Sequence, residues 1–305
     1  MNLQELLKKT KVKNTILPTV TVKDKIAIFN ENEFTFLIRT DLEDGNYLKE
    51  FLRDGLIKEG EFVNNHNGLK PIKDIGSIKL NQIEILKDAV LFLDKKILDY
   101  RFERVHIEPN RLYSTCGTRL YLKEVEFDLK EKINLSTELV KFLSLMKSDI
   151  KIQITELGII YKGFEFMVLD KAIEDSYLDV DNVLRKEHSF SFTVKGKNLV
   201  KEVKSLSKVF TSFSLIEEQQ KLYLVAENIE EEIQVKKYIN DFPIKKVKGH
   251  IINFKLDNIK PILPLLNQEN LKFSFGENKN RYVLIGNSII LTTAHSEQGN
   301  FECYE

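Results

Sequence analysis

Long apolar runs are missing from this sequence: runs such as residues 91–93 and 289–291 span only a few residues. A membrane-spanning helix needs about 20 consecutive apolar residues, so we expect none and no membrane partner. Residues 1–9 have a Leu/Lys amphipathic pattern with no long apolar stretch after it, which argues against a secretory signal. We therefore expect a soluble, cytoplasmic protein.

Metal-binding and catalytic patterns are also missing. Neither the two cysteines, Cys116 and Cys303, nor the five histidines are spaced like zinc ligands, and two lone thiols fit a reducing compartment. The chain has no Walker-type Gly-rich loop, no Gly-x-Ser-x-Gly and no His-Glu-x-x-His. The acidic run at residues 230–232 does not suit a metal or general-acid site, because adjacent residues on a strand point to opposite faces. It suits a solvated strand end better. We expect no metal, no cofactor and no enzymatic activity.

Charge and length limit the remaining classes. The 305 residues include 46 basic and 46 acidic side chains, so formal net charge is zero. This balance argues against a protein that coats nucleic acid over its whole surface, but it allows one that gathers positive charge on a single face. With 42% hydrophobic and 30% charged residues, the chain is globular, and its length suits two or three domains.

Self-similarity is the strongest signal in the chain. Three segments, at residues 2–47, 139–177 and 259–301, share one plan: a Leu-rich helix, two strands and an acidic turn with an aromatic residue. Two more helix-then-strand segments begin at Ile83 and Lys197. Single segments of this kind recur by chance in α+β proteins, but five in order favour duplication. The chain therefore contains five β-α-β-β-like units, one alone and then two pairs, with one strand predicted at residues 164–168 and the last helix at 259–266.

A turn in the middle of the chain carries a more specific resemblance. Residues 112–120 read Leu-Tyr-Ser-Thr-Cys-Gly-Thr-Arg-Leu and follow the matching stretch at residues 101–108. With the repeat, this stretch resembles the bacterial sliding clamp, the β subunit of DNA polymerase III, whose second domain has an Ala-Thr-Asp-Gly-His-Arg-Leu turn. Thr115, Gly117, Arg119 and Leu120 match that turn, whereas Cys116 and Thr118 replace its Asp and His. The resemblance covers residues 75–305 and, more weakly, 1–47.

The resemblance implies an α+β DNA-clamp fold, built of tandem β-α-β-β-β half-units with helices inside a ring and antiparallel sheets outside. It divides the chain into a truncated first domain at residues 1–75 (one half-unit plus a long linker), a second at 76–185 and a third at 186–305. Head-to-tail contact between copies would make a homo-oligomer, with a dimer favoured.

Lysines on the predicted helices are the candidate DNA contacts. A clamp attracts the phosphate backbone without reading bases, so its hole needs positive charge. Lys197, Lys201, Lys204 and Lys208 repeat at helical spacing, with Leu199 and Val203 on another face. The other helices contribute a set of six: Lys8, Lys9, Lys87, Lys95, Lys141 and Lys147. Such stripes are often merely solvated faces, but four of five helices carry them while net charge stays zero.

A hydrophobic pocket between the second and third domains is the second implied site. In the family it takes a short peptide from polymerase, clamp loader and repair enzymes. Its wall would be formed by the following residues: Phe102, Thr115, Gly117, Arg119, Leu120, Arg185, Ile289 and Leu291. Arg185 occupies the place of a family proline, and Ile289 and Leu291 as single residues equally suit strand core. A few buried apolar contacts would dominate affinity in such a groove.

Two functions remain open. The first is a DNA polymerase processivity factor that encircles duplex DNA without sequence specificity and holds the replicative polymerase and clamp loader. The alternative is a clamp-fold interaction protein that binds client peptides without encircling DNA. Retention on circular DNA would separate them, because only an encircling protein depends on the circle being closed.

Overall fold

The protein is described from a computed structural model that covers residues 1–10, 19–31, 34–53, 70–94, 100–164, 166–171, 180–181, 190–206, 209–228, 230–242, 249–275 and 282–292. The chain forms two compact units. The first comprises Met1–Lys87, Arg104–Leu112 and Glu124–Tyr177, and the second comprises Asp88–Glu103, Tyr113–Lys123 and Leu178–Glu305.

The described residues form short helices and many strands. The helices are α1 (Leu3–Lys9), α2 (Lys49–Arg53), α3 (Leu80–Val90), α4 (Thr137–Leu143), α5 (Gly196–Ser205), α6 (Leu256–Ile259) and α7 (Leu263–Leu266), with 3-10 turns at Tyr100–Glu103 and Lys260–Ile262. The strands are β1 (Thr19–Lys23), β2 (Ile26–Glu31), β3 (Phe34–Arg39), β4 (Gly45–Leu48), β5 (Lys73–Ile78), β6 (Arg104–Glu108), β7 (Arg111–Thr115), β8 (Arg119–Glu124), β9 (Asp128–Leu129), β10 (Ile133–Ser136), β11 (Ile150–Thr155), β12 (Gly158–Lys162), β13 (Phe166–Asp170), β14 (Phe190–Val194), β15 (Ser212–Glu218), β16 (Lys221–Asn228), β17 (Ile233–Asp241), β18 (Gly249–Lys255), β19 (Leu271–Phe275), β20 (Tyr282–Ile285) and β21 (Ile289–Thr292).

The first unit is organised around a nine-stranded antiparallel sheet in the order β4-β1-β2-β3-β13-β12-β11-β5-β9, and β6 pairs with β10 in the same unit. Helix α4 packs on β3 through Phe142, whose ring meets Phe34 and Phe36 edge-on at 5.2 and 4.8 Å. A capping box between Asn2 and Glu5 starts α1. Its two reciprocal hydrogen bonds satisfy backbone donors that the first helical turn leaves open.

The second unit contains two antiparallel groups of strands, β8-β21-β20-β19-β14 and β17-β16-β15-β18. Aromatic rings fill its core: Phe192 stacks on Phe273 at 5.6 Å, and Phe254 lies 6.4 Å from Phe273 and 5.4 Å from Phe213. Strand β7 begins in the first unit and ends in the second, because the division falls after Leu112. The α+β class with antiparallel sheets is confirmed.

Two predicted elements need correction. The strand predicted at residues 164–168 begins only at Phe166, because the Gly163 N–H donates to the Phe166 carbonyl at 3.1 Å and closes a turn that leaves Phe164 outside. The helix predicted at 259–266 is broken into α6, a 3-10 turn and α7. Pro261 and Pro264 lie near the starts of the two later segments, where a residue without an N–H is tolerated.

Candidate functional site

The lysines predicted to contact DNA are exposed wherever the structure describes them. Lys8 and Lys9 lie in α1, Lys87 in α3 and Lys141 in α4. Lys147 is also exposed, but it lies beyond the end of α4 rather than in the helix, because the chain turns there with φ +49° at Lys147 itself. Lys95 and Lys208 lie outside the described residues.

Helix α5 shows the clearest separation of charge from core. Lys197, Lys201 and Lys204 are exposed, whereas Leu199, Val200 and Val203 are buried. The Lys201 side chain is 81% exposed, and its Nζ lies 3.8 Å from Glu202 Oε1. Exposed ion pairs at this distance contribute little energy, so the lysine remains available to an external anion. On α3, in contrast, Lys87 is 2.6 Å from Glu84 and is partly neutralised.

The turn at residues 115–119 is held by its own polar groups. Thr115 Oγ1 donates to the Arg119 carbonyl at 2.8 Å and accepts from the Gly117 N–H at 2.9 Å. The Cys116 N–H donates to the same Arg119 carbonyl at 3.2 Å. Gly117 has φ +83°, a backbone conformation that glycine adopts without strain. The turn is therefore rigid, and the half-buried Phe102 ring lies beside Gly117, 3.9 Å from where a Cβ would stand.

Arg119 makes its hydrogen bonds inside the fold. Its side chain is buried, and its guanidinium donates to the carbonyls of Leu91 at 3.2 Å and Leu93 at 2.9 Å. A longer contact of 3.5 Å reaches the Asp257 carbonyl at the start of α6, next to a hydrogen bond of 3.1 Å between Thr118 and Asn258. The guanidinium of this predicted pocket residue therefore donates to three main-chain carbonyls. Arg119 thereby joins the turn to two other segments of the second unit.

The register of β8 and β21 divides the predicted pocket residues between two faces of the sheet. Ile290 pairs with Leu120, and Leu291 pairs with Arg119. Because side chains alternate along a strand, Leu120 and Ile290 share one face, whereas Ile289 and Leu291 lie on the other. Leu291 is fully buried and Ile289 is 6% exposed. The structure thus brings Thr115, Gly117, Arg119 and Leu120 together but separates Leu120 from Ile289 and Leu291; Arg185 lies outside the described residues.

The face that carries Leu120 and Ile290 forms a separate apolar cluster. We define the outer cluster by its members: Tyr113, Leu120, Val180 and Ile290, none more than 7% exposed, with the partly buried Leu122 and Leu284 packed against them. Sequence reasoning missed Tyr113, Val180 and Ile290. The alternation of β21 contained a signal for Ile290, but choosing between Ile290 and its neighbours requires the register with β8.

The opposite face of β8 is also buried. The Tyr121 ring lies 5.2 Å from the Phe92 ring, and burial, with the nearby Asp88 carboxylate, raises the pKa of Tyr121 to about 12. Burial disfavours the charged phenolate. Within the described ranges, no group of histidine, cysteine or acidic side chains is arranged to hold a metal ion, and no helix is long and apolar enough to cross a membrane.

Comparison with known proteins gives matches in structure only. No protein-family model matches the chain, and no curated protein matches by sequence. The β sliding clamp of Caulobacter crescentus aligns with a TM-score of 0.77 at 12% identity, over 96% of each chain. The β chain of DNA polymerase III from Streptococcus pneumoniae aligns with 0.78 at 13%, over 96% of this chain and 97% of that one. The sliding clamp of Pseudomonas aeruginosa bound to griselimycin gives 0.76 at 13% with the same coverage. The chain therefore has the bacterial sliding-clamp fold, which confirms the prediction made from the resemblance of its sequence.

Proposed function

We propose that this protein is a DNA polymerase processivity factor, a sliding clamp that encircles duplex DNA without sequence specificity. The observation that carries the proposal is the combination of the sliding-clamp fold with exposed lysines on α1, α3, α4 and α5. Lysines that meet only phosphates bind by releasing counterions, so they hold DNA of any sequence and let the protein slide. No bond-making step is part of this proposal.

The outer cluster is the proposed docking surface for client proteins. It combines large apolar side chains with a turn that hydrogen bonds keep rigid, so a peptide would meet a preformed surface. One or two apolar side chains of a tail from the replicative polymerase or the clamp loader would pack on Leu122 and Leu284, the partly buried members of the cluster. In calorimetry, Leu122→Ala with Leu284→Ala should weaken the affinity for such a peptide by at least tenfold, because losing the apolar contacts of two side chains should cost more than about 1.4 kcal/mol. Undiminished affinity would place the docking surface elsewhere.

Self-association is proposed through strand edges. β17 is the end strand of its four-stranded group among the described residues, and its Ile233 and Tyr238 side chains are 42% and 48% exposed. A free strand edge is a ready template for pairing with another chain. A head-to-tail dimer would cover it, and the domain division at residues 1–75, 76–185 and 186–305 belongs to the same proposal. Light scattering at micromolar concentration should give twice the 35.6 kDa chain mass, whereas a monomer would argue against encirclement.

The decisive experiment uses the topology of the DNA. Protein loaded on a nicked circular plasmid should stay bound at high salt and be released when the circle is cut, because a ring leaves DNA only over an end. Retention that does not depend on the circle, or no retention at all, would contradict encirclement. Peptide binding without circle-dependent retention would favour the alternative, a clamp-fold interaction protein.

A further inference from the structure

Phe164 is 91% exposed, more than any other large hydrophobic side chain among the described residues. It lies in the turn between β12 and β13, and its N–H donates to Ser148 Oγ at 2.9 Å. The adjacent Gly163 N–H donates to the Phe166 carbonyl, so the turn is hydrogen-bonded on both sides of the phenylalanine. Hydrogen bonds therefore hold the backbone of this turn, whereas the Phe164 ring is exposed to solvent.

The turn also rests on the segment that follows α4. A Cβ added at Gly163 would lie 2.9 Å from Met146 Cβ and Sδ, and Met146 is itself buried. Glycine is required because backbone and methionine approach too closely for a side chain. Packing and hydrogen bonds thus hold Phe164 beside residues 146–148.

A second exposed apolar side chain borders the same segment. Leu80, the first residue of α3, is 47% exposed, and its N–H donates to Asp149 Oδ1 at 2.8 Å. The backbone N–H groups of Phe164 and Leu80 thus donate to the side chains of two consecutive residues, Ser148 and Asp149 respectively. Isolated exposed hydrophobic residues are ordinary, but two on one anchored segment form a patch.

One exposed lysine precedes Leu80, and another precedes the serine that accepts from the Phe164 N–H. Lys79 precedes Leu80, Lys147 precedes Ser148, and both are exposed. We call Lys79, Leu80, Lys147 and Phe164 the aromatic–lysine patch. It adjoins the first residue of α3 and the chain just beyond α4, the two helices that carry Lys87 and Lys141.

We propose that the aromatic–lysine patch binds single-stranded nucleic acid, with an unpaired base stacked on Phe164 and phosphates near Lys79 and Lys147. Every base has a π-face, so an exposed ring with exposed lysines on the neighbouring segments suits a single strand of any sequence. The bases of a duplex are already stacked on each other and cannot reach the ring in this way. The inference rests on the proposed function in one respect, that the strand would continue from duplex held by α3 and α4.

The absence of tryptophan from the chain provides a direct test. In Phe164→Trp the indole is the only tryptophan, so stacking of a base should quench its fluorescence when oligodeoxythymidine is added. A blunt duplex of equal length should quench it much less. Leu157→Trp is the matched control, because Leu157 is 40% exposed in the turn between β11 and β12 of the same unit and has no role in the proposal. Equal quenching of both tryptophans, or none at position 164, would overturn the proposal.

Affinity measurements separate stacking from simple apolar contact. By anisotropy of a labelled single strand, Phe164→Ala and Phe164→Leu should each weaken binding about tenfold, because stacking on an aromatic ring is lost in both. Lys79→Gln with Lys147→Gln should lower the log–log salt slope by about 1.4. If Phe164→Leu binds like the unsubstituted protein, or the unsubstituted protein binds no single strand, the proposal fails and the patch is better explained by a protein partner. A short linear oligonucleotide needs no ring, so failure here leaves retention on circular DNA as a separate result.

Discussion

The lysine face of α5 and the turn at residues 115–119 belong to the same unit but use their cations in opposite ways. Lys201 is 81% exposed, and its ion pair with Glu202 is long, at 3.8 Å. Arg119, in contrast, is buried and donates to main-chain carbonyls on two other segments. A cation whose donors are satisfied within the chain stabilises the fold, and one that faces water is available to a ligand. The two regions should therefore respond differently to substitution, with larger losses in the free energy of unfolding around the turn than on the lysine face.

Leu291→Ala should destabilise the second unit most. Leu291 is fully buried and pairs with Arg119 across the β8–β21 register, so its removal leaves a cavity beneath the turn. Truncations of this kind cost about 2–5 kcal/mol. Urea unfolding followed by circular dichroism measures the loss.

The control for Leu291 lies on the other face of the same sheet. Leu122 is only partly buried against the outer cluster, so Leu122→Ala should cost less than half as much. Equal losses from the two substitutions would show that the faces of β8 and β21 do not differ as core and docking surface.

Arg119→Met should cost about 2 kcal/mol, because it removes a charged donor from buried carbonyls while keeping the apolar stem. The substitution should also weaken client-peptide binding indirectly, by loosening the turn beside Leu120. Thr118→Ala is the matched control: it removes an exposed hydrogen bond to Asn258 and should change stability by less than about 0.5 kcal/mol. A stable Arg119→Met protein with lost peptide affinity would instead mean that the arginine contacts the peptide itself.

The same contrast explains what could be predicted from sequence. The lysine spacing of residues 197–204 is local, and a helical period is enough to place Lys197, Lys201 and Lys204 on an exposed face. The outer cluster depends on pairing between Leu120 and Ile290, which are far apart in the chain, and a shift of one residue exchanges the two faces. Sequence alone therefore does not decide whether Ile290 or its neighbours Ile289 and Leu291 share a face with Leu120. Phe164 was assigned to a strand because its alternation continues β13, and only the Gly163 turn removes it.

Glu108 is a carboxylate that is paired inside the fold. Its side chain is 9% exposed, and it accepts from Arg111 and Lys132, each at 2.7 Å. Burial alone would raise the pKa of Glu108, but these two hydrogen bonds outweigh it and hold the pKa below its ordinary value. A lowered folded-state pKa stabilises the protein above the unfolded-state pKa of about 4.3, and this contribution is lost as pH falls through the folded-state pKa.

Glu108→Gln should therefore lower stability at pH 7 by about 1–2 kcal/mol, and the difference from the unsubstituted protein should shrink below about pH 4. Urea midpoints at pH 7 and pH 3.5 give the comparison. Glu84→Gln, which removes the exposed pair with Lys87, should have almost no effect at either pH. A pH-independent loss at Glu108 would mean that packing rather than charge accounts for it.

Replacing Lys197, Lys201 and Lys204 with Glu should change stability least, by less than about 0.5 kcal/mol for each exposed site. The effect should instead fall on DNA: the log–log salt slope of equilibrium binding to a linear duplex should drop by about 3, because each lost phosphate contact removes about 0.9. Lys221, Lys237 and Lys272 replaced with Glu form the matched control, since they are exposed, lie on strands of the same unit and change net charge equally. If both triple variants weaken binding to linear duplex alike, net charge alone governs binding and the lysine face of α5 has no special position on DNA.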